Sequence, residues 1–328
     1  MGIKTFTSRL AAVAILLSGL GGAVAQEQVG KVRSLGTIVG AGPYSFPEKA
    51  VLNRYGNLYI LDSELSNVFV VNMARASAGP RSICSPRTPS RASDMSVDGS
   101  GAIWILASLS SKVIKLDNNC RVQRSFTSQR PALGLQLNSA DEVIVLTSTG
   151  STLFDLYDQN GTLIRSFGRR ISYGDPISDG ELSNGHLVAD RTGGFYFSFN
   201  YPPLVQHYGR DGKLLGEFKP QSNVYVGSAD VSSQRQGNIL AVHSNYQILV
   251  LDMTLDERGR LIFLMSGKPK YQAMTEGSQT LLVTTGRGTV LRKLIIEDVA
   301  FHRLVAGHAA LYLLRNRDGL RLDKYELP

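Results

Sequence analysis

Residues 55–72 read YGNLYILDSELSNVFVVN, and this stretch decides the fold of the chain. A turn that contains Gly56 and Asn57 precedes a run of strand-forming residues at 58–61, and a second run follows at 68–71. Aliphatic and aromatic residues in short runs, bounded by Gly, Asn and Ser, favour β-strands. The stretch therefore predicts two short strands joined as a hairpin.

The same pattern recurs along the rest of the chain. Each repeat begins with a turn rich in Gly, Asn or Ser, which is followed by one run of strand formers and then, at nearly the same offset, by a second run. A constant offset indicates hairpins of constant register. The seven first runs begin at Leu58, Ile103, Val143, Phe195, Ile239, Leu281 and Leu311.

Further strands flank these hairpins. Several units continue through an Asn-Gly or Asp-Gly turn, as at residues 158–167 and 210–218. These dipeptides supply the positive φ values that a tight hairpin turn requires. A short apolar strand precedes each first run, for example at 95–98 and 187–190. Each repeat is therefore predicted to contain about four strands, and no segment shows sustained helical periodicity.

Four-stranded units that recur in this way are typical of a β-propeller, in which each sheet buries its faces against its neighbours. The sequence predicts an all-β chain with one propeller domain over residues 26–328. Seven blades are favoured, and six are the alternative because the last interval between runs is short. The last unit lacks an outer strand, and residues 32–36 resemble it. We therefore expect an N-terminal strand to complete the last blade and close the ring.

Part of the repeat resembles a known family. Residues 55–63 and 67–72 are similar to an NHL repeat, and residues 158–168 resemble the end of one. The resemblance is to NHL-type and related six- or seven-bladed propellers, and it runs through most of the mature chain. It implies a ring-shaped scaffold that binds proteins, nucleic acids or small ligands, with occasional lyases or lactonases. It assigns no catalytic residues, because no matching motif is present.

Residues 1–25 have the three-part form of a secretory signal peptide. Lys4 and Arg9 form the basic start, residues 10–20 form an apolar run, and residues 23–25 are the small residues that a signal peptidase needs. An uncleaved anchor is the alternative, but the run is shorter than the roughly 20 residues that span a bilayer. We predict a bacterial protein, periplasmic or secreted, with no integral membrane segment after cleavage.

Composition excludes several classes of protein. The chain has 328 residues, 43% of them hydrophobic and 19% charged, which excludes disordered, collagenous and disulfide-stapled miniprotein classes. Nucleic acid is a poor partner for an exported chain, so the net charge of +8 points to an anionic envelope ligand or an acidic protein surface. Cys84 and Cys120 either form a disulfide, which an oxidising compartment permits, or remain buried thiols.

The sequence contains no strong catalytic or cofactor-binding motif, and no cofactor or metal is predicted. In a propeller the first strand of each blade lines the central channel. Imidazole and carboxylate groups at the channel mouth could act as general acid and base or hold a cation. The alternative is that they bond to loop backbone or water. The weak catalytic candidates are Asp94, Glu181, His186 and His302.

Basic residues concentrate in the predicted connectors between blades, where a basic rim could attract an anionic partner. Solvated loop charge is the alternative. Tyrosines in the long connector 169–184 and in the exposed connector 200–203 could anchor a ligand or shield the core. The predicted partner-binding residues are Lys49 and Tyr271 at the channel and Arg169, Arg170, Tyr173 and Tyr201 in the connectors.

Asp, Asn or Glu recurs just before the turn that precedes the first run of a repeat. Such side chains commonly stabilise turns by accepting hydrogen bonds from their own backbone, although a ring of them resembles a calcium site. We predict the structural role. The residues are Asn53, Asp98, Asn138, Asp190 and Glu276.

The sequence favours a non-enzymatic binding scaffold that engages a protein or an anionic ligand through its loop face. The alternative is a periplasmic hydrolase or lyase with its site at the channel mouth, built on His186, His302 and either Asp94 or Glu181. A third hypothesis is a purely structural protein without a ligand.

Overall fold

The computed structural model describes most of the chain beyond residue 27. The described residues are 28–31, 34–39, 47–64, 67–78, 81–84, 92–172, 179–180, 182–200, 204–220, 230–236, 239–245, 250–266, 279–296, 303–307, 310–316 and 320–326. Within them no helix is long and apolar enough to cross a membrane. The predicted signal peptide lies outside these residues, and export stays a prediction.

The chain begins with β1 (Gln28–Lys31) and β2 (Ser34–Val39), and four antiparallel four-stranded sheets follow in sequence order. Blade one contains β3 (Pro47–Leu52), β4 (Asn57–Asp62), β5 (Asn67–Asn72) and β6 (Arg81–Cys84). Blade two contains β7 (Ala92–Val97), β8 (Ile103–Ala107), β9 (Lys112–Leu116) and β10 (Val122–Thr127). Blade three contains β11 (Ala132–Leu137), β12 (Val143–Thr147), β13 (Thr152–Tyr157) and β14 (Leu163–Arg169). Blade four contains β15 (Gly185–Ala189), β16 (Phe195–Phe199), β17 (Val205–Tyr208) and β18 (Leu214–Phe218).

A two-stranded hairpin, β19 (Asp230–Gln236) and β20 (Ile239–Asn245), separates these sheets from the last two. Blade five contains β21 (Val250–Leu255), β22 (Leu261–Met265), β23 (Gln279–Thr284) and β24 (Val290–Ile296). Blade six contains β25 (Arg303–Ala306), β26 (Ala310–Asn316) and β27 (Leu320–Glu326). Two short 3-10 helices, Met73–Ala78 and Ser108–Ser110, lie in blades one and two.

The blades form a closed ring of six. Their inner strands contact one another in the order β3, β7, β11, β15, β21, β25 and back to β3. The all-β propeller prediction is confirmed, whereas the preference for seven blades is wrong. The run at Ile239 belongs to the separate hairpin, and the run at Leu281 lies in the third strand of blade five. A local strand pattern does not specify its pairing partner, so both runs resembled the start of a blade.

The N-terminal strands lie on the last two blades. β2 pairs antiparallel with β27, with Ser34 opposite Tyr325 and Thr37 opposite Asp323. β1 pairs parallel with β24, with Gln28 opposite Arg292. That this pairing is what holds the ring closed stays a prediction.

The hydrophobic core lies between blades. The described residues form six clusters of buried side chains, one at each interface between neighbouring blades. The cluster between blades three and four contains Phe154, Phe195, Phe197 and Tyr208, whose rings lie 5.1–5.4 Å from Phe154 at steep angles. Each sheet therefore depends on its neighbours for burial, which keeps the ring as one unit.

The turns between first and second strands are stabilised as predicted. Asp98 accepts hydrogen bonds from the backbone of Ser100 (3.0 Å) and Ala102 (2.9 Å) through one carboxylate oxygen. Asn53, Asn138 and Asp190 accept equivalent pairs of bonds. The structural interpretation of these four residues is confirmed, and Glu276 lies outside the described residues.

Cys84 and Cys120 form a disulfide with a Cα–Cα distance of 5.4 Å. Cys84 ends β6 of blade one, and Cys120 lies in the turn before β10 of blade two. Cys120 has a φ of 61°, and glycine takes this position in the matching turns of blades three and five, at Gly161 and Gly288. The cysteine therefore adopts a conformation that favours glycine. The disulfide links blades one and two covalently.

Candidate functional site

The inner strands place polar side chains near the mouth of the channel through a recurring irregularity. In blades one, two, three and five the pairing of the inner strand shifts after its first residue. Such bulges re-aim side chains and are frequent beside functional sites. The residues that follow the shift occupy equivalent positions, and they are Lys49, Asp94, Gly134 and Asp252.

Lys49 and Asp94 form an ion pair between blades one and two. Lys49 Nζ lies 3.3 Å from Asp94 Oδ1. The same oxygen accepts the Met95 N–H (2.8 Å), and Oδ2 accepts the Leu135 N–H of blade three (2.7 Å). The carboxylate therefore joins three blades, and its oxygens are already engaged by donors.

His186 and Asp252 repeat this arrangement in blades four and five. His186 Nδ1 lies 3.4 Å from Asp252 Oδ1. Asp252 Oδ1 also accepts the Met253 N–H (2.9 Å), and Oδ2 accepts the Leu304 N–H of blade six (2.8 Å). In a ring of six, blades four and five lie opposite blades one and two. The two pairs therefore face each other across the channel.

The imidazole of His186 is neutral at neutral pH. Burial, helped by the charges of Arg303 and Lys49 and opposed by that of Asp252, lowers its pKa to about 4. Its Nε2 is buried and has no hydrogen-bond partner within the described part of the chain. A neutral ring with so low a pKa is a weak base. Within the part of the chain that the structure describes, no group of three His, Cys, Asp or Glu side chains could hold a metal ion.

Arg303 completes the contacts around the channel. Its guanidinium contacts the backbone oxygen of Glu48 and lies 3.3 Å from Glu48 Oε1, which links blade six to blade one. The sequence identified Lys49, Asp94 and His186, but it missed Glu48, Asp252 and Arg303. A signal for Asp252 existed, because residues 93–98 (SDMSVD) match 251–256 (LDMTLD).

Two predicted rim arginines make contacts within the chain. Arg169 forms an ion pair with Glu217. Arg170 donates to the carbonyl oxygens of Thr147 (2.7 Å) and Thr152 (3.2 Å). Burial, together with the nearby charge of Arg130, lowers the pKa of Arg170. Their role toward a partner stays a prediction.

The remaining predicted site residues lie outside the described part of the chain, and their roles stay predictions. They are Tyr173, Glu181, Tyr201, Tyr271 and His302.

A cleft of about 840 Å³ lies between blades four and five, and we call it the 4/5 cleft. Its wall on blade four includes Tyr196 and His207, whose rings stack at 4.0 Å with an angle of 10°. His207 Nε2 lies 2.7 Å from Asp190 Oδ2. Burial and the charge of Asp190 raise the pKa of Tyr196, so its hydroxyl keeps its proton.

The wall on blade five consists of two turns that carry arginines. Arg260 is held by Asp256, with 2.6 Å between Nε and Oδ2. By contrast, the guanidinium groups of Arg258 and Arg287 have no ion pair or hydrogen bond to any described residue. On the other wall, hydrogen bonds from Arg169 and Gln206 lower the pKa of Glu217 despite the opposing effect of burial.

The carboxylate of Glu217 is therefore ionised, and it is engaged by Arg169 of blade three and Gln206 of blade four. Among the described residues, the positive charges of Arg258 and Arg287 in the 4/5 cleft have no partner. Neither Arg258 nor Arg287 was singled out from the sequence, because a single arginine in a turn resembles ordinary solvated charge.

No protein-family model matches the sequence, and no curated protein matches it. Solved structures do match over most of the chain. The chain is a β-propeller.

Three similar structures come from different kinds of protein. Catalytically inactive virginiamycin B lyase from Staphylococcus aureus with quinupristin has a TM-score of 0.50 at 10% identity, covering 85% of this chain and 80% of that one. Regucalcin from Agrobacterium tumefaciens, a calcium-binding protein, has a TM-score of 0.55 at 10% identity over 92% and 98%. The Cps50 (Swd1) propeller domain from Myceliophteria thermophila has a TM-score of 0.54 at 12% identity, covering 90% of this chain and 100% of that one. Such identities show the fold alone, so function depends on the side chains of this chain.

Proposed function

We propose that the chain is an exported binding scaffold for an anionic ligand and that the ligand binds in the 4/5 cleft. The observation that carries the proposal is that Arg258 and Arg287 line the cleft without a carboxylate partner among the described residues. Guanidinium groups bind phosphate and carboxylate through paired, charge-assisted hydrogen bonds. Two of them on one wall provide positive charge that no described carboxylate neutralises.

The opposite wall adds polar and planar contacts. The Tyr196 hydroxyl is a donor, and His207 is oriented by Asp190. The stacked rings present a flat, partly apolar surface beside the arginines. This combination suits a phosphorylated or carboxylated molecule with an attached ring or chain.

The polar residues of the channel mouth support a scaffold over an enzyme. The Asp94 and Asp252 carboxylates join neighbouring blades, and each accepts two backbone N–H bonds in addition to its side-chain partner. A base with the pKa of His186 would be inefficient at neutral pH. The hydrogen bonds of these groups stabilise the contacts between blades, which leaves them poorly suited to act on a substrate.

A hydrolase or lyase is the second candidate, and it is favoured by the buried Nε2 of His186, which has no hydrogen-bond partner among the residues that the structure describes. This function predicts that His186→Ala abolishes turnover of the enzyme's substrate and releases any tightly held divalent metal. Metal analysis of the purified protein before and after the substitution tests it.

We also propose a periplasmic or secreted location. The disulfide between Cys84 and Cys120 is favoured in an oxidising compartment and disfavoured in the bacterial cytosol. Residues 1–25 have the form of a signal peptide. Fractionation of the producing cells and N-terminal sequencing of the mature protein test this location.

The anion proposal is tested by titration calorimetry with inorganic pyrophosphate and with citrate. We expect Arg258→Ala/Arg287→Ala to weaken the binding of whichever anion binds by about 100-fold or more, because charge-assisted bonds contribute about 1.5–3 kcal/mol each. The matched control is Lys112→Ala/Arg124→Ala, which removes the same charge from exposed positions of blade two. Equal affinities for both double variants, or no binding of either anion, would refute the proposal.

A further inference from the structure

A second cleft of about 750 Å³ lies between blades one and two, and we call it the 1/2 cleft. Its polar lining consists mainly of carboxamide and phenol groups, and among its lining residues Arg75 alone is charged. Val70, Ile83 and Ile103 supply an apolar part of the wall. The carboxamides and phenols are those of Asn53, Asn57, Asn72, Asn118, Tyr55 and Tyr59.

The amides are only partly used within the protein. Asn53 Oδ1 accepts the backbone N–H groups of Tyr55 and Asn57 (both 3.0 Å), and Asn72 Nδ2 donates to Asn57 Oδ1 (3.2 Å). The side-chain nitrogen of Asn57 and the whole amide of Asn118 have no hydrogen-bond partner among the described residues. Since each amide offers two donors and two acceptor lone pairs, the cleft retains free groups of both kinds.

Tyr55 supplies an aromatic surface at the edge of the cleft. Its side chain is 63% exposed. Its ring is nevertheless held in place, because the Arg54 guanidinium lies 4.8 Å from the ring centre. Arg54 Nη2 also donates to the Tyr55 hydroxyl (2.6 Å) and to the Gly99 carbonyl of blade two (2.9 Å). An exposed ring that is already fixed loses little entropy when a ligand stacks on it.

The disulfide fixes the two walls of the cleft relative to each other. Cys84 follows the lining residue Ile83 on blade one, and Cys120 lies two residues after Asn118 on blade two. A covalent link between the walls keeps the cleft in one shape before a ligand arrives, and such preorganisation increases affinity.

This chemistry fits a sugar better than an anion. Sugar hydroxyls both donate and accept hydrogen bonds, as carboxamides do, and the C–H face of a sugar ring stacks on an aromatic ring. A multiply charged ligand would need more than one cation. From the free amides, the fixed exposed tyrosine and the single charge, we propose that the 1/2 cleft binds a neutral or singly charged oligosaccharide.

The proposal is tested by screening the mature protein on a glycan array and then titrating it with chitotetraose, maltotetraose and xylotetraose. We expect Tyr55→Ala to weaken the binding of the recognised sugar by about tenfold, as the loss of one aromatic stacking contact does. Asn118→Ala is expected to weaken it about fivefold, in line with one neutral hydrogen bond. Tyr55→Phe keeps the ring and is expected to stay within about threefold of the parent.

Two controls make the result specific. Leu109→Ala changes a side chain of blade two that is 73% exposed and outside the cleft, and it should leave sugar binding unchanged. Arg258→Ala/Arg287→Ala should also leave it unchanged, because those residues line the other cleft. A protein that binds no sugar in either assay, or that binds equally well after Tyr55→Ala and Asn118→Ala, would overturn the proposal.

Discussion

The 1/2 cleft and the 4/5 cleft are built from the same elements three blades apart, yet their side chains differ. Tyr59 and Tyr196 are equivalent, and the residues paired with them are Val70 in one cleft and His207 in the other. The turn after the inner strand of the following blade contributes Ser100 to the first and Arg258 to the second. The repeat therefore determines where a cleft forms, and the residues that differ between repeats determine what the cleft can bind.

The two halves also differ in how they are held. Blades one and two are joined by a disulfide, whereas the N-terminal strands β1 and β2 lie on blades five and six. The polar pairs at the channel differ in the same way, because Lys49 in one half corresponds to the neutral His186 in the other. Four changes test whether these differences matter, and they follow in order of expected size.

Deleting residues 26–39 should have the largest effect. The deletion exposes the edges of β24 and β27, each of which loses four paired residues. At about 0.5–1.5 kcal/mol net per backbone hydrogen bond, the free energy of unfolding should fall by about 4 kcal/mol or more. Urea denaturation followed by circular dichroism measures the change. Unaltered stability would show that the strands do not hold the ring closed.

Replacing both cysteines, as Cys84→Ser/Cys120→Ser, breaks the link in the other half. With a sequence separation of 36 between the cysteines, the free energy of unfolding should fall by about 3–4 kcal/mol. The same variant should lose affinity for sugar in the 1/2 cleft while keeping its affinity for anions in the 4/5 cleft. Equal losses at both clefts would contradict the separation of the two halves.

The pH dependence of stability should distinguish the two polar pairs. The folded protein keeps His186 neutral down to about pH 4, whereas the unfolded chain takes up this proton near pH 6.5. Because the unfolded state binds more protons between these values, the free energy of unfolding falls as pH decreases through this window. The loss is on the order of 2–3 kcal/mol, at about 1.4 kcal/mol per pKa unit.

The variant His186→Gln cannot take up this proton and should show a flatter profile. Denaturation of both proteins at several pH values from 4 to 7 gives the two slopes, and their difference isolates His186 from the other histidines. Identical slopes would mean that His186 titrates normally in the folded protein.

Exchanging single residues between the clefts should have the smallest effect. Arg258→Ser gives the 4/5 cleft the residue found at the matching place in the 1/2 cleft, and we expect affinity for pyrophosphate to fall about tenfold. The reciprocal variant Ser100→Arg should give the 1/2 cleft a measurable affinity for the same anion. Calorimetry on both variants tests whether the residue at this position decides which cleft binds an anion.

Sequence reasoning succeeded where the signal is local. Asp98 and Asp190 bond to their own turns, and the Asn-Gly and Asp-Gly turns lie where predicted, because such bonds connect residues only two to four positions apart. Asp252 was missed although Asp94 was found, since the inner strand of blade five was assigned to the wrong position in its repeat. The matching segments 93–98 and 251–256 would have corrected this.

The sequence by itself determined that the chain consists of repeated short strands, that these form a propeller, and which residues stabilise the turns. Only the tertiary structure decided that the ring has six blades, that His186 faces Asp252, and that Arg258 and Arg287 share one cleft with His207. The reason is physical. Strand and turn formation depend on neighbouring residues, whereas blade number, channel pairs and clefts depend on contacts between residues far apart in the chain.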